Sequence, residues 1–401
     1  MKFNDFYPFL DTAKIRSRYQ KIENNFVSLW KARPAAFFSS PARVEILGNH
    51  TDHNNGRVLV GALNRDIIAC AAPNGTAKVT ILSDGFGKIE ASAADTAFDP
   101  AETGATKALV KGILNGFKEN GLRAGGFDAV LNSEIVPGVG MSSSAAFELL
   151  ICVILNDFFN GSKIGKLQLA KIAQRAENAY FGKPCGLLDQ CAVAFGGVTY
   201  IDFVNPLIPR VETIEPPALK EKTVLINTGG DHRGLTQYYA EISSDMRAVA
   251  KSMGKEYLGQ ASDREFYALP EKNTREYNRA LHFFEENQRV KSALTFLKLA
   301  DYEMFLVCVA NSGHSSRYRL LNNTLPDEKS SPITDALDYI HSLDPEIAAR
   351  VHGGGFRGTV LAFVNDEDLG KIRSHFGEEN VFEVNFRNAG ASRVDIKEIL
   401  E

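Results

Sequence analysis

The stretch Pro137-Gly-Val-Gly-Met-Ser-Ser-Ser-Ala-Ala-Phe-Glu148 decides the fold of this chain. Two glycines and three serines precede an apolar run, Ala145 to Leu155, that has helical spacing. This order predicts a tight loop that leads into a helix, where free N–H groups and the helix dipole attract anions. The stretch lacks the endings of a Walker loop and of the dinucleotide fingerprint. It is therefore a candidate phosphate site, with an ordinary helix cap as the alternative.

The composition is that of an ordinary globular protein. The chain has 401 residues, 44% hydrophobic and 23% charged, which is enough for two domains with separate cores. Its net charge is −4 and its lysines and arginines are scattered, so we expect no nucleic-acid or membrane partner. Five cysteines without paired metal-ligand spacing suggest reduced thiols and no structural zinc. We expect a cytoplasmic protein that binds small molecules.

The hydrophobic pattern predicts an α+β fold with a domain boundary in a proline-rich segment after residue 205. The predicted domains are residues 1–205 and 206–401. The second half is the more helical one. In the first half, strands are predicted at 36–38, 44–47, 57–62, 66–71, 78–82 and 127–132, and helices at 106–119, 145–159 and 164–181. In the second half, helices are predicted at 236–252, 273–287, 290–299, 302–312, 333–342 and 367–375, and strands at 223–227, 358–364 and 381–385.

A second informative stretch runs from Pro41 to Gly56. Arg43 opens an apolar strand, and the strand ends in a loop made almost entirely of hydrogen-bonding side chains. Such a density of donors and acceptors suits a polyhydroxylated ligand such as a sugar. The alternative is a polar turn with solvated histidines. A metal site at His50 and His53 is not favoured, because the sequence offers no third ligand nearby.

The third stretch runs from Ala176 to Gly197 and contains Asp189 within an apolar segment. A carboxylate at a position that the pattern predicts to be buried is either a structural cap or a general base. As a base it needs a cationic neighbour, for which Arg43 is the candidate. Glu177, on the preceding helix, could complete a metal site with a loop serine, although a solvated helix-face charge is the simpler interpretation.

Together these stretches resemble the galactokinases within the GHMP kinase superfamily. Residues 41–56 resemble the galactokinase signature, 138–148 the phosphate loop, 173–190 the segment with the catalytic aspartate, and 351–358 the third, glycine-rich motif. Residues 227–239 and 311–316 are weaker matches. The resemblance covers most of the chain. It implies a two-lobed fold, with an N-terminal mixed α/β lobe, a C-terminal ferredoxin-like lobe and an active site in the cleft between them.

The resemblance also implies an activity, the transfer of the γ-phosphate of ATP to the anomeric C1 hydroxyl of galactose, which begins galactose catabolism. Asp189 would take or orient the proton of that hydroxyl, and Arg43 would keep Asp189 ionised. Mg²⁺ would be bound by Ser144 and Glu177. The sugar would be contacted by Asn49, His50, Thr51, Asp52 and Tyr239, and ATP by Ser83, Gly138, Val139, Gly140, Met141, Ser142, Ser143 and Ser144. A monomer is expected.

Several positions depart from the family pattern. Asn49 stands where the family usually has glutamate, Ala42 replaces a glycine, and Arg357 replaces a small residue. The segment before Tyr239 matches only with an extra residue. The loss of charge at Asn49 leaves open a related sugar kinase acting on N-acetylgalactosamine, arabinose or a uronic acid. A non-catalytic sugar sensor is a separate alternative, which the presence of Asp189, Arg43 and Glu177 disfavours.

Overall fold

The structure of the protein is a computed structural model that describes residues 3–84, 87–230 and 235–396. Within these ranges the chain forms twelve α-helices and twelve strands. The helices are α1 Phe3–Phe6, α2 Thr12–Trp30, α3 Thr106–Glu119, α4 Ser143–Asn160, α5 Lys166–Ala176, α6 Leu188–Phe195, α7 Thr236–Ser252, α8 Asp263–Tyr267, α9 Arg275–Lys298, α10 Tyr302–Ser315, α11 Pro332–Leu343 and α12 Asp366–Phe376. The strands are β1 Ala36–Leu47, β2 Arg57–Pro73, β3 Lys78–Ser83, β4 Gly87–Ser92, β5 Phe127–Ser133, β6 Val198–Asp202, β7 Arg210–Ile214, β8 Lys222–Asn227, β9 Ala348–His352, β10 Thr359–Val364, β11 Val381–Val384 and β12 Ser392–Val394.

The larger sheet is built around the long strand β2. Its main path is β12-β1-β2-β5-β3-β4, and β6 and β7 branch from the first half of β2. All pairs are antiparallel except β3 with β5. The apolar helix α4 packs on this sheet and supplies much of the largest hydrophobic core. Because β1 lies in this sheet and α4 packs on it, the end of β1 and the start of α4 have fixed positions relative to each other.

The smaller sheet has the order β11-β8-β10-β9 and is fully antiparallel. Helices α11 and α12 contribute apolar side chains to the core on this sheet. The turn between β9 and β10, residues 353–358, reaches the loop that follows β1. The predicted α+β fold with two lobes is confirmed. The division at residue 205 stays a prediction; strands β7 and β12, which lie beyond it, pair with the larger sheet.

Several predicted elements are joined in the structure. Strand β1 runs unbroken through Pro41, where its register with β2 shifts, so the two predicted strands of this region are one. In the same way β2 continues through the polar pair Asn64 and Arg65. Helix α9 replaces two predicted helices, because nothing at 288–289 breaks it. The sequence analysis missed β4, β6, β7, β9, β12, α6 and α8.

Helix α4 is long and apolar enough, by length and composition, to cross a membrane. In this fold 67% of its apolar window is buried, and its side chains lie in the core of the larger sheet. We therefore describe α4 as a core helix.

Candidate active site

Arg43 and Asp189 form a two-pronged ion pair at the centre of the cleft. Arg43 Nε donates to Asp189 Oδ1 at 2.6 Å, and Nη2 donates to Oδ2 at 2.8 Å. Arg43 also donates to the carbonyl of Gly140 in the phosphate loop. Strand β1 supplies the arginine and the first turn of α6 supplies the aspartate. The predicted pairing of these two residues is therefore present in the structure.

Asp189 is held in its ionised form. Burial alone would raise its pKa, but the charge and hydrogen bonds of Arg43 and a hydrogen bond from Ser142 outweigh burial and lower the pKa below its ordinary value. The Ser142 hydroxyl donates to Asp189 Oδ2 at 2.6 Å. About a quarter of the Asp189 side chain stays exposed in the cleft. A hydroxyl of a bound molecule can therefore reach a charged acceptor.

The phosphate loop has a backbone suited to an anion. The φ angles are +82° at Gly138, +69° at Gly140 and +57° at Ser142, whereas φ is not positive at Val139 and Met141. Alternation of this kind turns successive N–H groups toward one side and forms an anion-binding concavity. Val139 and Met141 are buried and anchor the loop in the core, while Gly138 and Gly140 are exposed. Helix α4 begins directly after the loop and adds its positive end.

Glu177 and Ser144 lie together beside this loop. Ser144 Oγ donates to Glu177 Oε1 at 2.9 Å, and Lys183 Nζ donates to the same oxygen at 2.8 Å. Glu177 is almost fully buried, so its carboxylate interacts with these partners and not with bulk water. A carboxylate and a hydroxyl next to a phosphate site are oxygen donors of the kind that Mg²⁺ prefers. Ser144 and Glu177 are thus the residues that would hold a magnesium ion, in exchange for the contacts that Glu177 makes here.

The sequence analysis missed a second buried carboxylate here. Glu148 is 0% exposed, and its Oε1 has no hydrogen-bond partner in the described part of the chain. Gln190 Nε2 donates to Glu148 Oε2 at 3.0 Å and to Glu177 Oε2 at 2.9 Å, and so joins the two carboxylates. Burial and the charge of Glu177 raise the pKa of Glu148 well above its usual range. A charged residue inside the apolar run after Ala145 was the available signal.

His50 and His53 form a chain of neutral rings. His50 Nε2 donates to the carbonyl of Gly354 at 2.8 Å, which leaves Nδ1 to accept from His53 Nε2 at 3.2 Å. Asn54 in turn donates to His53 Nδ1 at 2.9 Å. Burial lowers the pKa of His50 to about 3 and that of His53 to about 4. His50 therefore braces the loop against the third motif, and His53 supports His50 from within the loop.

Asp52 is the acidic group of this loop. The segment before α6 approaches it so closely that a side chain at Gly186 would collide with its carboxylate. Burial, together with the nearby charge of Asp189, raises the pKa of Asp52 to about 6. No side-chain hydrogen bond to its carboxylate is found in the described ranges. Asp52 and Asp189 are thus close enough for their charges to interact.

The other predicted sugar residues differ in how much they face the cleft. Thr51 is fully buried and donates within its own loop, to the carbonyls of Gly48 and Arg57. Tyr239 packs on the His50 ring, at 6.2 Å between centroids, and its hydroxyl donates to the carbonyl of Gly355 at 3.3 Å. Residues 231–234, which belong to the weakly matching segment before Tyr239, lie outside the described residues.

Asn49 uses its whole side chain inside the protein. Its amide nitrogen donates to Glu45 Oε1 at 3.0 Å and to the carbonyl of Gly353 at 2.7 Å, and its oxygen accepts from Asn322 at 2.8 Å. Asn49 is only 1% exposed. Ser83 pairs with Leu131 of β5, the strand that leads into the phosphate loop. Contact of these residues with sugar or ATP stays a prediction.

Two further polar residues of the cleft were missed. Glu45 follows Arg43 by two positions on β1, and burial raises its pKa although Arg350 opposes that shift. His352 Nε2 accepts from the Glu45 N–H at 3.2 Å, so its Nδ1 carries the proton. That Nδ1 has no partner among the described residues and faces Gly140. Both residues lie inside stretches that the sequence analysis had marked, 41–56 and 351–358, but it gave neither of them a role.

Comparison with known proteins agrees with this geometry. The family model of the GHMP kinases N terminal domain matches residues 108–197, which include the phosphate loop and Asp189. The model of the galactokinase galactose-binding signature matches residues 24–73, which include Arg43 and the polar loop. One model therefore includes Arg43 and the other includes Asp189, the two residues of the ion pair.

Similar proteins match this chain over most of their length. A galactokinase of Clostridium tetani is 30% identical over 361 residues, which cover 87% of this chain and 89% of the relative. A galactokinase of Thermococcus kodakarensis is 30% identical and covers 83% and 91%. The crystal structure of Lactococcus lactis galactokinase complexed with galactose superposes with a TM-score of 0.79 at 25% identity, covering 94% of this chain and all of that one. The chain belongs to the galactokinase family.

Proposed function

We propose that this protein is a galactokinase, which transfers the γ-phosphate of ATP to the C1 hydroxyl of galactose. The observation that carries the proposal is the two-pronged ion pair of Arg43 and Asp189, held against the phosphate loop by the Gly140 carbonyl and Ser142. Phosphoryl transfer depends mainly on positioning and on neutralising charge. This arrangement supplies a fixed anion for the sugar and a fixed cation for the phosphate.

In the proposed reaction Asp189 accepts a hydrogen bond from the C1 hydroxyl and aligns it. The low pKa of Asp189 makes the carboxylate a weak base, so its first contribution is orientation and electrostatic attraction of the proton. The oxygen of C1 forms a bond to the γ-phosphorus as the bond to the β-phosphate oxygen breaks. The hydroxyl proton leaves through Asp189. Arg43 stabilises the negative charge of the transferred group.

ATP is expected to bind through the N–H groups of residues 138–144 and the start of α4. Mg²⁺ would be held by Glu177 and Ser144 and, when bound, would neutralise phosphate charge. Lys183, which contacts Glu177, adds a positive charge at the same place. A monomer in the cytoplasm completes the proposal.

The experiment is a coupled ADP-release assay with Mg-ATP and a panel of sugars. The panel is galactose, N-acetylgalactosamine, arabinose, glucose and galacturonate, and each sugar is tested with the native chain and with Asp189→Asn. We expect turnover on galactose and its near loss in the variant, by about a thousandfold. If only a different sugar is phosphorylated, the protein is a kinase for that sugar and not for galactose. Binding without turnover on any sugar would support the sensor and contradict the kinase.

A further inference from the structure

We propose that Glu45 is a sugar-binding residue, and that its carboxylate accepts a hydrogen bond from a hydroxyl at the end of the hexose remote from C1. The inference rests on the proposed function and deepens it, because it assigns the residue that recognises that end of the sugar. It is argued from the position of Glu45 on β1, from its partners, and from the way in which Asn49 is buried.

Strand β1 presents Arg43 and Glu45 on the same side. Residues two apart in a strand share a face, and two positions advance the chain by about 7 Å. Arg43 reaches Asp189, where the reacting hydroxyl is proposed to lie. Glu45 therefore lies one sugar length further along the cleft, toward Asn49 and the turn after β9.

The partners of Glu45 fix one oxygen and leave the other available. Asn49 Nδ2 donates to Oε1 at 3.0 Å, and Arg350 Nη2 donates to the same oxygen at 2.9 Å. Within the described residues, Oε2 has no hydrogen-bond partner, and it is not among the fully enclosed atoms without a partner. The side chain retains 11% exposure, whereas Arg350 has none. Oε1 of Glu45 is thus held by two donors of the protein, and Oε2 is available to accept a hydrogen bond from a ligand.

Asn49 cannot serve as the acceptor in this geometry. Its oxygen accepts from Asn322, both of its amide hydrogens are donated internally, and the residue is 1% exposed. The resemblance leads one to expect a carboxylate at position 49, and here the carboxylate lies at position 45, hydrogen-bonded to the amide at 49. The pair of residues 45 and 49 therefore still contains one carboxylate, which belongs to residue 45 and not to residue 49.

The test compares the native chain with Glu45→Gln on galactose, 4-deoxygalactose and 6-deoxygalactose. Glutamine has nearly the same shape and removes the charge. We expect the KM for galactose to rise about tenfold or more, and the KM for ATP to stay within twofold. With the deoxy sugar that lacks the hydroxyl bound by Glu45, the native chain and the variant should have similar kcat/KM.

The matched control is Asp202→Asn, which removes a carboxylate of strand β6 that is paired with Arg57 at 2.8 Å. Its KM for galactose should not change. If Glu45→Gln fails to fold because Arg350 is left unpaired, the double variant Glu45→Gln with Arg350→Met removes both buried charges and is measured in the same way.

Three results are decisive. An unchanged KM for galactose, or an equal loss on galactose and on both deoxy sugars, overturns the assignment of Glu45. A loss that disappears with one deoxy sugar supports it. If the native chain phosphorylates no hexose at all, the proposed function fails first, which separates the two failures.

Discussion

At the scale of the residue, Arg43 holds Asp189 and the phosphate loop in place. Its guanidinium makes two parallel bonds to Asp189 and a third to Gly140, a set that the single ammonium of lysine cannot reproduce. We expect Arg43→Lys to lower kcat by about a hundredfold or more, with a smaller change in the KM for galactose. Steady-state kinetics measures both. Arg57→Lys is the control, and an undiminished kcat in Arg43→Lys would contradict the role given to Arg43.

Asp52 predicts a pH dependence of sugar binding. Burial raises the pKa of Asp52 to about 6. Below pH 6 its carboxylate therefore takes up a proton and no longer accepts hydrogen bonds as an anion. The KM for galactose should therefore rise about tenfold between pH 7 and pH 5. His50 and His53 have pKa values near 3 and 4 and stay neutral in this window, while Glu45 and Asp189 are the other carboxylates nearby.

Asp52→Asn serves as the control for that profile. It should flatten the dependence that Asp52 causes and leave any part due to Glu45. The sign for stability is opposite to that of an ordinary paired carboxylate. Because the folded state binds the proton more tightly, the contribution of Asp52 to stability decreases as pH rises from about 4 to 6. A KM that stays constant from pH 7 to pH 5 is the result that contradicts this role.

Sequence reasoning at the residue scale found the charged groups of the motifs but not their supports. Arg43, Asp189, Ser144 and Glu177 were named, and the structure brings each pair together. Glu45 and His352 were missed, because partners some 300 residues apart give no local pattern. Only the fold decides that such residues meet.

At the scale of the element, the phosphate loop depends on left-handed backbone at Gly140. A methyl group there would meet His352 Nδ1 at 3.1 Å and would also make φ of +69° costly. We expect Gly140→Ala to raise the KM for ATP about tenfold and to leave the KM for galactose nearly unchanged. Initial-rate kinetics with each substrate varied separately tests this.

Gly121→Ala is the matched control for the loop. Gly121 has φ of +68° and open space around it, so the substitution has a similar backbone cost far from the cleft. The KM for ATP should not change in that variant. If both variants weaken ATP equally, general destabilisation and not the shape of the loop is responsible.

The elements themselves were partly predictable. Helix α3 has the predicted bounds, and α4 extends the predicted helix by only a few residues, because apolar periodicity and caps are local signals. Strands β7 and β12 were missed, because β7 is largely polar and β12 has three residues. Their strand structure depends on pairing with distant partners, β6 and β1.

At the scale of the whole molecule, Asp66 ties the two ends of the chain to the larger sheet. It is fully buried and bonds with Arg18 at 2.9 Å, Tyr7 at 2.7 Å, Ser39 at 2.5 Å and Arg387 at 3.3 Å. We expect Asp66→Asn to lower the free energy of unfolding by about 3–5 kcal/mol, because the buried Arg387 loses its anion and Arg18 keeps only Glu134. Denaturant titration measures this, and the KM for galactose should change little.

Asp338→Asn is the surface control, since Asp338 pairs with Arg317 but is more than half exposed, and its loss should cost less than about 1 kcal/mol. The acid dependence has a definite sign. Burial would raise the pKa of Asp66, but Arg18 and Arg387 lower it below the ordinary value. Its contribution is therefore present above about pH 4 and lost as pH falls further. Equal costs for Asp66→Asn and Asp338→Asn would contradict this account.

The two-lobed architecture was accessible from the family resemblance, while the contacts that join the lobes were not. Arg350 of β9 reaches Glu45 and the Ile46 carbonyl of β1, and the turn after β9 receives Asn49 and His50. These contacts place the third motif against the loop that follows β1. No spacing in the sequence encodes them.

The most direct test of the central claim is the identity of the product. ³¹P NMR of a reaction with Mg-ATP and galactose shows, from coupling to the anomeric proton, which oxygen carries the phosphate. The account predicts galactose 1-phosphate from the native chain and almost none from Asp189→Asn. Phosphate on another carbon, or inorganic phosphate alone, would contradict it.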